Sequence, residues 1–175
     1  MGKTADDNRN IANKYYLVLK FAFMNNPRLK TMQIILAAFC FSQISFALVT
    51  LMLNQERTFL SFSVSAEDGG LFPLFPILGL VFIGIGTFLF KRQLSAVPKE
   101  VTADEKIAGY QTAFIMRCAF IEGASLMNIV GFLISGNGAF LFIPVIAITM
   151  LIVNRPTRDG IIAVLNLGYP DTEKL

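Results

Sequence analysis

Four apolar runs divide the chain. TMQIILAAFCFSQISFALVTLML covers 31–53, LFPLFPILGLVFIGIGTFLF covers 71–90, YQTAFIMRCAFIEGASLMNIVGFLI covers 110–134, and AFLFIPVIAITMLIV covers 139–153. A helix needs about 20 apolar residues to cross the hydrocarbon core of a bilayer. The first three runs meet that length, the third despite its polar insertions. The fourth is the shortest and reaches only about 22 Å at about 1.5 Å per residue. It must gain length from its flanks or sit where the bilayer thins. The pattern predicts an all-α membrane protein with a four-helix transmembrane bundle over 31–153. An N-terminal segment, 1–30, precedes the bundle, and a tail with a short helix, 154–175, follows it.

The polar stretches between the runs carry their own signals. SGNG, Ser135 to Gly138, is short enough to force the third and fourth helices into a tight antiparallel hairpin. Its glycines suit the positive φ such a turn needs. In TADEKIAGYQ, Thr102 and Glu105 have the spacing of a capping box, which predicts a third helix that starts before its apolar run. Asn154 and Pro156 mark a fresh start after the fourth run, with Asp159 near the positive end of a short terminal helix. The closing GYPDTEKL is expected to fray. The loop 54–70 contains FLSFSVS, whose alternation fits a short strand or an interfacial turn. Pro73, Pro76 and Pro144 are expected to kink or open their helices near the ends. Ahead of the first run, IANKYYLVLKFAFMNN is too short to span. It suits a helix lying in the interface or one packed on the cytoplasmic side of the bundle.

Composition agrees with a membrane class. Charged residues make up 15% and hydrophobic residues 54% of the chain, against roughly 25% charged in soluble domains. Mean hydropathy is +0.60. The net charge of +3 fits basic loops rather than nucleic-acid binding. Arg28 and Lys30 precede the first run, Lys91, Arg92, Lys99 and Lys106 lie between the second and third, and Arg155 and Arg158 follow the fourth. The other two loops hold Arg57 against Glu56, Glu67 and Asp68. All three basic clusters fall on one side if both termini are cytoplasmic, and an even number of spans also puts the termini on one side. The core of the first run is too long for a cleaved signal and lacks a small-residue cleavage site.

The third run holds the candidate chemistry. At about 100° per residue, Tyr110, Arg117, Asn128 and Ser135 fall within about 20° of one another. Ser125 lies about 80° from that line and Glu122 about 140°. Arg117 and Glu122 are five apart, outside the spacings that let side chains pair on one helix. Each is therefore expected to meet a different neighbour, on another helix or another subunit. Glu122 stands about 18 Å beyond Tyr110, near mid-membrane, and Arg117 about 10 Å beyond it. A charge at that depth costs about 2.5–3.5 kcal/mol on insertion scales. Ala119 and Gly123 form a small-xxx-small pair suited to helix contact, and Gly79, Gly84 and Gly86 are candidates for the same role in the second run. In the first run, Gln43 and the Ser42/Ser45 pair are expected to bond to backbone carbonyls or across helices.

Two resemblances follow from these residues. GLVFIGIG with Gly79, Gly84 and Gly86, the dipeptide Arg92–Gln93, and AFIEGASLMNIVGFLI with Glu122 resemble the hairpin of the proteolipid subunits that form the ring of rotary ATP synthases. That resemblance implies a proton-carrying role for Glu122. The chain departs from it in glycine spacing, in Arg117, in a longer loop and in two further spans. YQTAFIMRCAFIEGASLMNIVGFLISGN, followed by FLF and NRPTRDGII, is similar to uncharacterised four-span inner-membrane proteins of Bacteroidota. That similarity covers the second half of the chain and implies a bacterial inner-membrane location.

No histidine is present, which removes the usual general base and the commonest metal ligand. Cys40 and Cys118 both lie in apolar runs, without a zinc or redox spacing. No nucleophile beside a base and no phosphate loop appears. The sequence therefore predicts neither an enzyme nor a cofactor or metal site. It predicts a small accessory or structural membrane protein that self-associates or joins other membrane subunits through Arg117, Glu122, Ser125 and Asn128. The alternative is proton or cation translocation with Glu122 as carrier.

Overall fold

A computed structural model describes residues 27–62, 72–98 and 100–174. The expectations for residues 1–26, and for the second half of FLSFSVS, lie outside the described residues. The elements in chain order are α1 (Pro27–Leu53), α2 (Leu74–Ala96), α3 (Ala103–Ser135), a 3-10 turn (Gly138–Leu141), α4 (Phe142–Val153), α5 (Arg158–Leu165) and a final 3-10 turn (Asp171–Lys174). Three helices are long and apolar enough to cross a membrane, and a fourth crossing is available if the bent pair after Gly138 is one span.

The helices extend beyond the apolar runs that announced them. α1 already includes Pro27 to Lys30, which the apolar pattern assigned to the preceding segment. α2 continues past Lys91 and Arg92 to Ala96. α3 begins at its capping box: Thr102 accepts from the Glu105 backbone N–H, and Glu105 accepts from the Thr102 N–H at 3.0 Å. Backbone hydrogen bonding sets these limits, and it continues wherever a polar residue finds water at a span end.

α4 is only 12 residues long, or about 18 Å. The preceding 3-10 turn adds four residues at about 2 Å each, so the pair reaches about 26 Å. Pro144 occupies the first turn of α4, and Pro76 that of α2, where the missing N–H leaves no bond unmade. After α4 the chain bends by 79° into α5, whose start is capped by Thr157 accepting from the Gly160 N–H at 3.2 Å. The chain end is more ordered than its composition suggested. Residues 171–174 form a 3-10 turn, and the Arg158 guanidinium donates to the Thr172 carbonyl at 2.7 Å.

α3 is the axis of the bundle. α2, α1 and α4 all pack on it, while α1 and α2 pack on α3 rather than on each other. Ile107, Phe114, Cys118, Ile121, Ala124, Ile129 and Phe132 are buried along its length. Their intervals, mostly three, four or seven, keep them on the packed sides of a helix with several neighbours. The outer sides of α1 and α2 expose Phe41, Met52, Leu53 and Phe88. Such faces suit a hydrocarbon solvent, in which packing and polar contacts hold helices together more than apolar burial does.

Contacts at three levels show that α1 and α3 run parallel. At the basic end, Arg28 pairs with Asp104 at 3.0 Å, and Gln33 donates to the Pro156 carbonyl at 3.2 Å. Ser42 meets Glu122 in the middle. At the opposite end, Asn54 donates to the carbonyls of Phe132 and Leu133 in the last turn of α3, where the helix no longer supplies every carbonyl with a partner.

That opposite end is closed by a seam. Phe59 makes a single parallel β-bridge with Asn137, so the described part of FLSFSVS pairs without building a strand. The Asn137 side chain then imitates a peptide: it donates to the Ser61 carbonyl at 2.8 Å and accepts from the Ser61 N–H at 3.1 Å. Gly136 ends α3 at φ 75°, a region open to glycine at little cost. A Cβ there would also lie 2.6 Å from the Arg57 carbonyl oxygen.

Glycines fix the α2–α3 contact as well. A Cβ on Gly86 would lie 2.6 Å from the Phe120 Cβ, whereas one on Gly84 would meet nothing within 4 Å. Gly86→Ala is therefore expected to lower stability by about 1–3 kcal/mol through overpacking. Gly84→Ala is expected to be neutral or stabilising by up to about 1 kcal/mol. Unfolding by SDS titration in mixed micelles measures both, and equal effects would contradict this packing.

Candidate functional site: the polar faces of α3

The polar residues of α3 turn to different helices. Glu122, half-buried, faces α1, where the Ser42 hydroxyl lies within hydrogen-bonding distance of its Oε1. Ser42 also contacts the Phe39 carbonyl at 3.1 Å. One hydroxyl proton cannot serve two acceptors at once. Glu122 and the Phe39 carbonyl therefore compete for the single Ser42 proton.

Arg117 faces α2. Its guanidinium sits over the Phe90 ring at 5.2 Å, and its Nε is buried without a hydrogen-bond partner. Phe90 meets Tyr110 edge-on at 5.7 Å, and Tyr110 stacks on Phe114 at 6.4 Å. The Phe90 face attracts the cation through the ring quadrupole, and Tyr110 and Phe114 extend the aromatic cluster behind it. No ion pair joins Arg117 to Glu122.

Asn128 is fully buried on the same side as Arg117. Its amide donates to the Phe75 carbonyl of α2 at 3.1 Å and to the Ala124 carbonyl of α3 at 2.9 Å. Gly79 makes the room, since a Cβ there would lie 2.6 Å from the Asn128 Nδ2. Ser125 is fully buried, and its hydroxyl oxygen has no partner. Gln43 on α1 is also fully buried. Its amide donates to Phe39 at 3.1 Å, and its Oε1, like the Asn128 Oδ1, has no partner.

The structure thus brings Glu122 to α1, and Arg117 and Asn128 to α2. It does not bring the four polar residues of α3 to one point. Gly79 and Gly86 lie where α2 meets α3. Ala119, Gly123 and Gly84 depart from the expectation of helix contact: all three are exposed, and an added Cβ on Gly123 or Gly84 would meet nothing within 4 Å. Small side chains alone do not distinguish a packed flank from an open one.

Three partners were missed in the sequence. Ser42 stood out only as a polar intruder, and its match to Glu122 required the parallel register of α1 and α3. Phe90 carried no signal among 17 phenylalanines. Phe75 contributes a backbone carbonyl, which any residue has. Among the described residues, no group of three or more acidic or cysteine side chains could hold a metal.

The architecture is that of an all-helical bundle with several helices apolar enough for a multi-pass membrane protein. Comparison with known protein families, characterised proteins and solved structures finds no match.

A double-mutant cycle tests the link between α1 and α3. Ser42→Ala and Glu122→Ala are expected to show a coupling of about 0.6–1.7 kcal/mol, the range found for polar contacts between membrane helices. SDS-titration midpoints measure it, and strict additivity would rule out the contact.

Proposed function

We propose that this chain is a small, non-catalytic integral membrane protein that serves as an accessory or structural subunit in a bacterial inner membrane. One observation carries the reading. Arg117, Glu122 and Asn128 of α3 are engaged by two neighbouring helices of the same chain, and they do not converge on a reaction centre. Arg117 meets Phe90, Asn128 meets Phe75, and Glu122 meets Ser42. This is the expected arrangement where polar groups act as bonds between helices.

In this reading both termini are cytoplasmic. Its support is the grouping of Arg28, Lys30, Lys91, Arg92, Lys106, Arg155 and Arg158 around the span ends that join at the Arg28–Asp104 pair.

A second reading, proton or cation movement through Glu122, has its own support. That support is Glu122 itself, an ionisable side chain half-buried in the middle of a span, the kind of residue that marks ion and proton pathways.

Liposomes loaded with a pH-sensitive dye separate the two. The accessory reading expects no flux above empty liposomes under an imposed potential, and a lower unfolding midpoint for Glu122→Gln. Flux that disappears in a folded Glu122→Gln variant would establish the second reading instead.

A further inference from the structure

We propose that the open flank of α3 beside Glu122 is a docking groove for one transmembrane helix of another protein, bearing a lysine or arginine at mid-membrane depth. This rests on the accessory reading and names the kind of partner it requires.

The groove exists because α1 and α2 each pack on α3 and not on each other. The strip of α3 left between them carries Ala119 and Gly123, about 60° and 100° around the helix from Glu122. Phe82 of α2 and Phe120 of α3 wall one side, their ring centroids 6.1 Å apart, and Met127 closes the far end. The hollow measures about 450 Å³. Its floor of Gly and Ala lets a second helix backbone approach closely, which is how membrane helices gain packing energy.

The chemistry at the edge selects the occupant. Glu122 Oε1 is engaged by Ser42, while Oε2 has no donor among the described residues, and no Lys or Arg nitrogen lies within 4 Å of the carboxyl group. An acyl chain would fill the hollow but give that oxygen nothing. A second copy of this chain does no better. The one Lys or Arg inside its four apolar runs is Arg117, already committed to Phe90 on the α2 side. A foreign helix with a basic side chain at the same depth satisfies both features. It fills the small-residue floor and pairs a carboxylate that is costly to leave alone in hydrocarbon.

The test uses the full-length protein in liposomes with a labelled Leu/Ala host helix carrying a central lysine, and the same helix with a central leucine. Energy transfer between protein and helix is expected to show at least tenfold tighter association with the lysine helix. Glu122→Gln should remove that preference. Gly123→Leu should weaken association with the lysine helix at least tenfold without lowering the unfolding midpoint, because a side chain at 123 meets nothing inside the bundle.

Equal association of the two helices, or a lysine preference that survives Glu122→Gln, would overturn the proposal. So would energy transfer between two labelled copies of the protein that Gly123→Leu abolishes, which would assign the groove to self-association. The vesicle flux assay judges the accessory reading separately. Absent flux with no lysine preference removes only the docking proposal, whereas flux dependent on Glu122 removes the accessory reading beneath it.

Discussion

Hydrocarbon offers a polar side chain no water, so every such group inside a span has to be satisfied by protein. In this chain the constraint falls most heavily on α3, with Ser42 and Gln43 of α1 sharing it. Its answer is to use three kinds of contact at three depths. The Asn128 amide takes backbone carbonyls, Arg117 takes an aromatic face, and Glu122 takes a hydroxyl. Each engages a neighbouring helix, so the cost of polarity in α3 becomes the set of bonds that locates α1 and α2. The glycines of α2 are subordinate to this. Gly79 is small because the Asn128 amide occupies the space where its side chain would be.

The two ends of the bundle follow different rules. At one end, water is available and the links are an exposed ion pair and the Gln33–Pro156 bond. An exposed pair contributes little stability, about 0–1 kcal/mol. At the other end, Asn54 and Asn137 are buried and bond to backbone. Breaking those leaves buried groups unsatisfied, at about 1–3 kcal/mol each. The seam from Asn54 through Phe59 to Asn137 is therefore the firmer closure.

Much of this was legible in the amino-acid pattern, for identifiable reasons. Apolar runs mark spans because the bilayer imposes a length. The capping box at Thr102 and the turn at Gly136 are local, and local signals survive without a fold. The helical wheel separated Glu122 from Arg117 and Asn128 correctly, because five residues on a straight helix cannot share a side. Which neighbour each face meets was not legible, since that depends on the order in which α1, α2 and α4 surround α3. Nor were the roles of Asn54 and Asn137. Their partners are backbone carbonyls and amides, which every residue supplies. Ala119 and Gly123 read the same whether covered or open, and only the arrangement of α1 and α2 decides between them.

The parallel pairing of α1 with α3 has a consequence for how the protein is made. Translation delivers α1 to the bilayer well before its principal neighbour exists, with the whole of α2 in between. During that interval α1 must persist as a lone span. Its composition suits this, because its outward side is apolar and its polar residues, Ser42 and Gln43, can rest on its own Phe39 carbonyl. When α3 arrives, the Ser42 hydroxyl meets Glu122 while staying within reach of the Phe39 carbonyl. The residue that lets α1 wait alone is also the one that greets its partner.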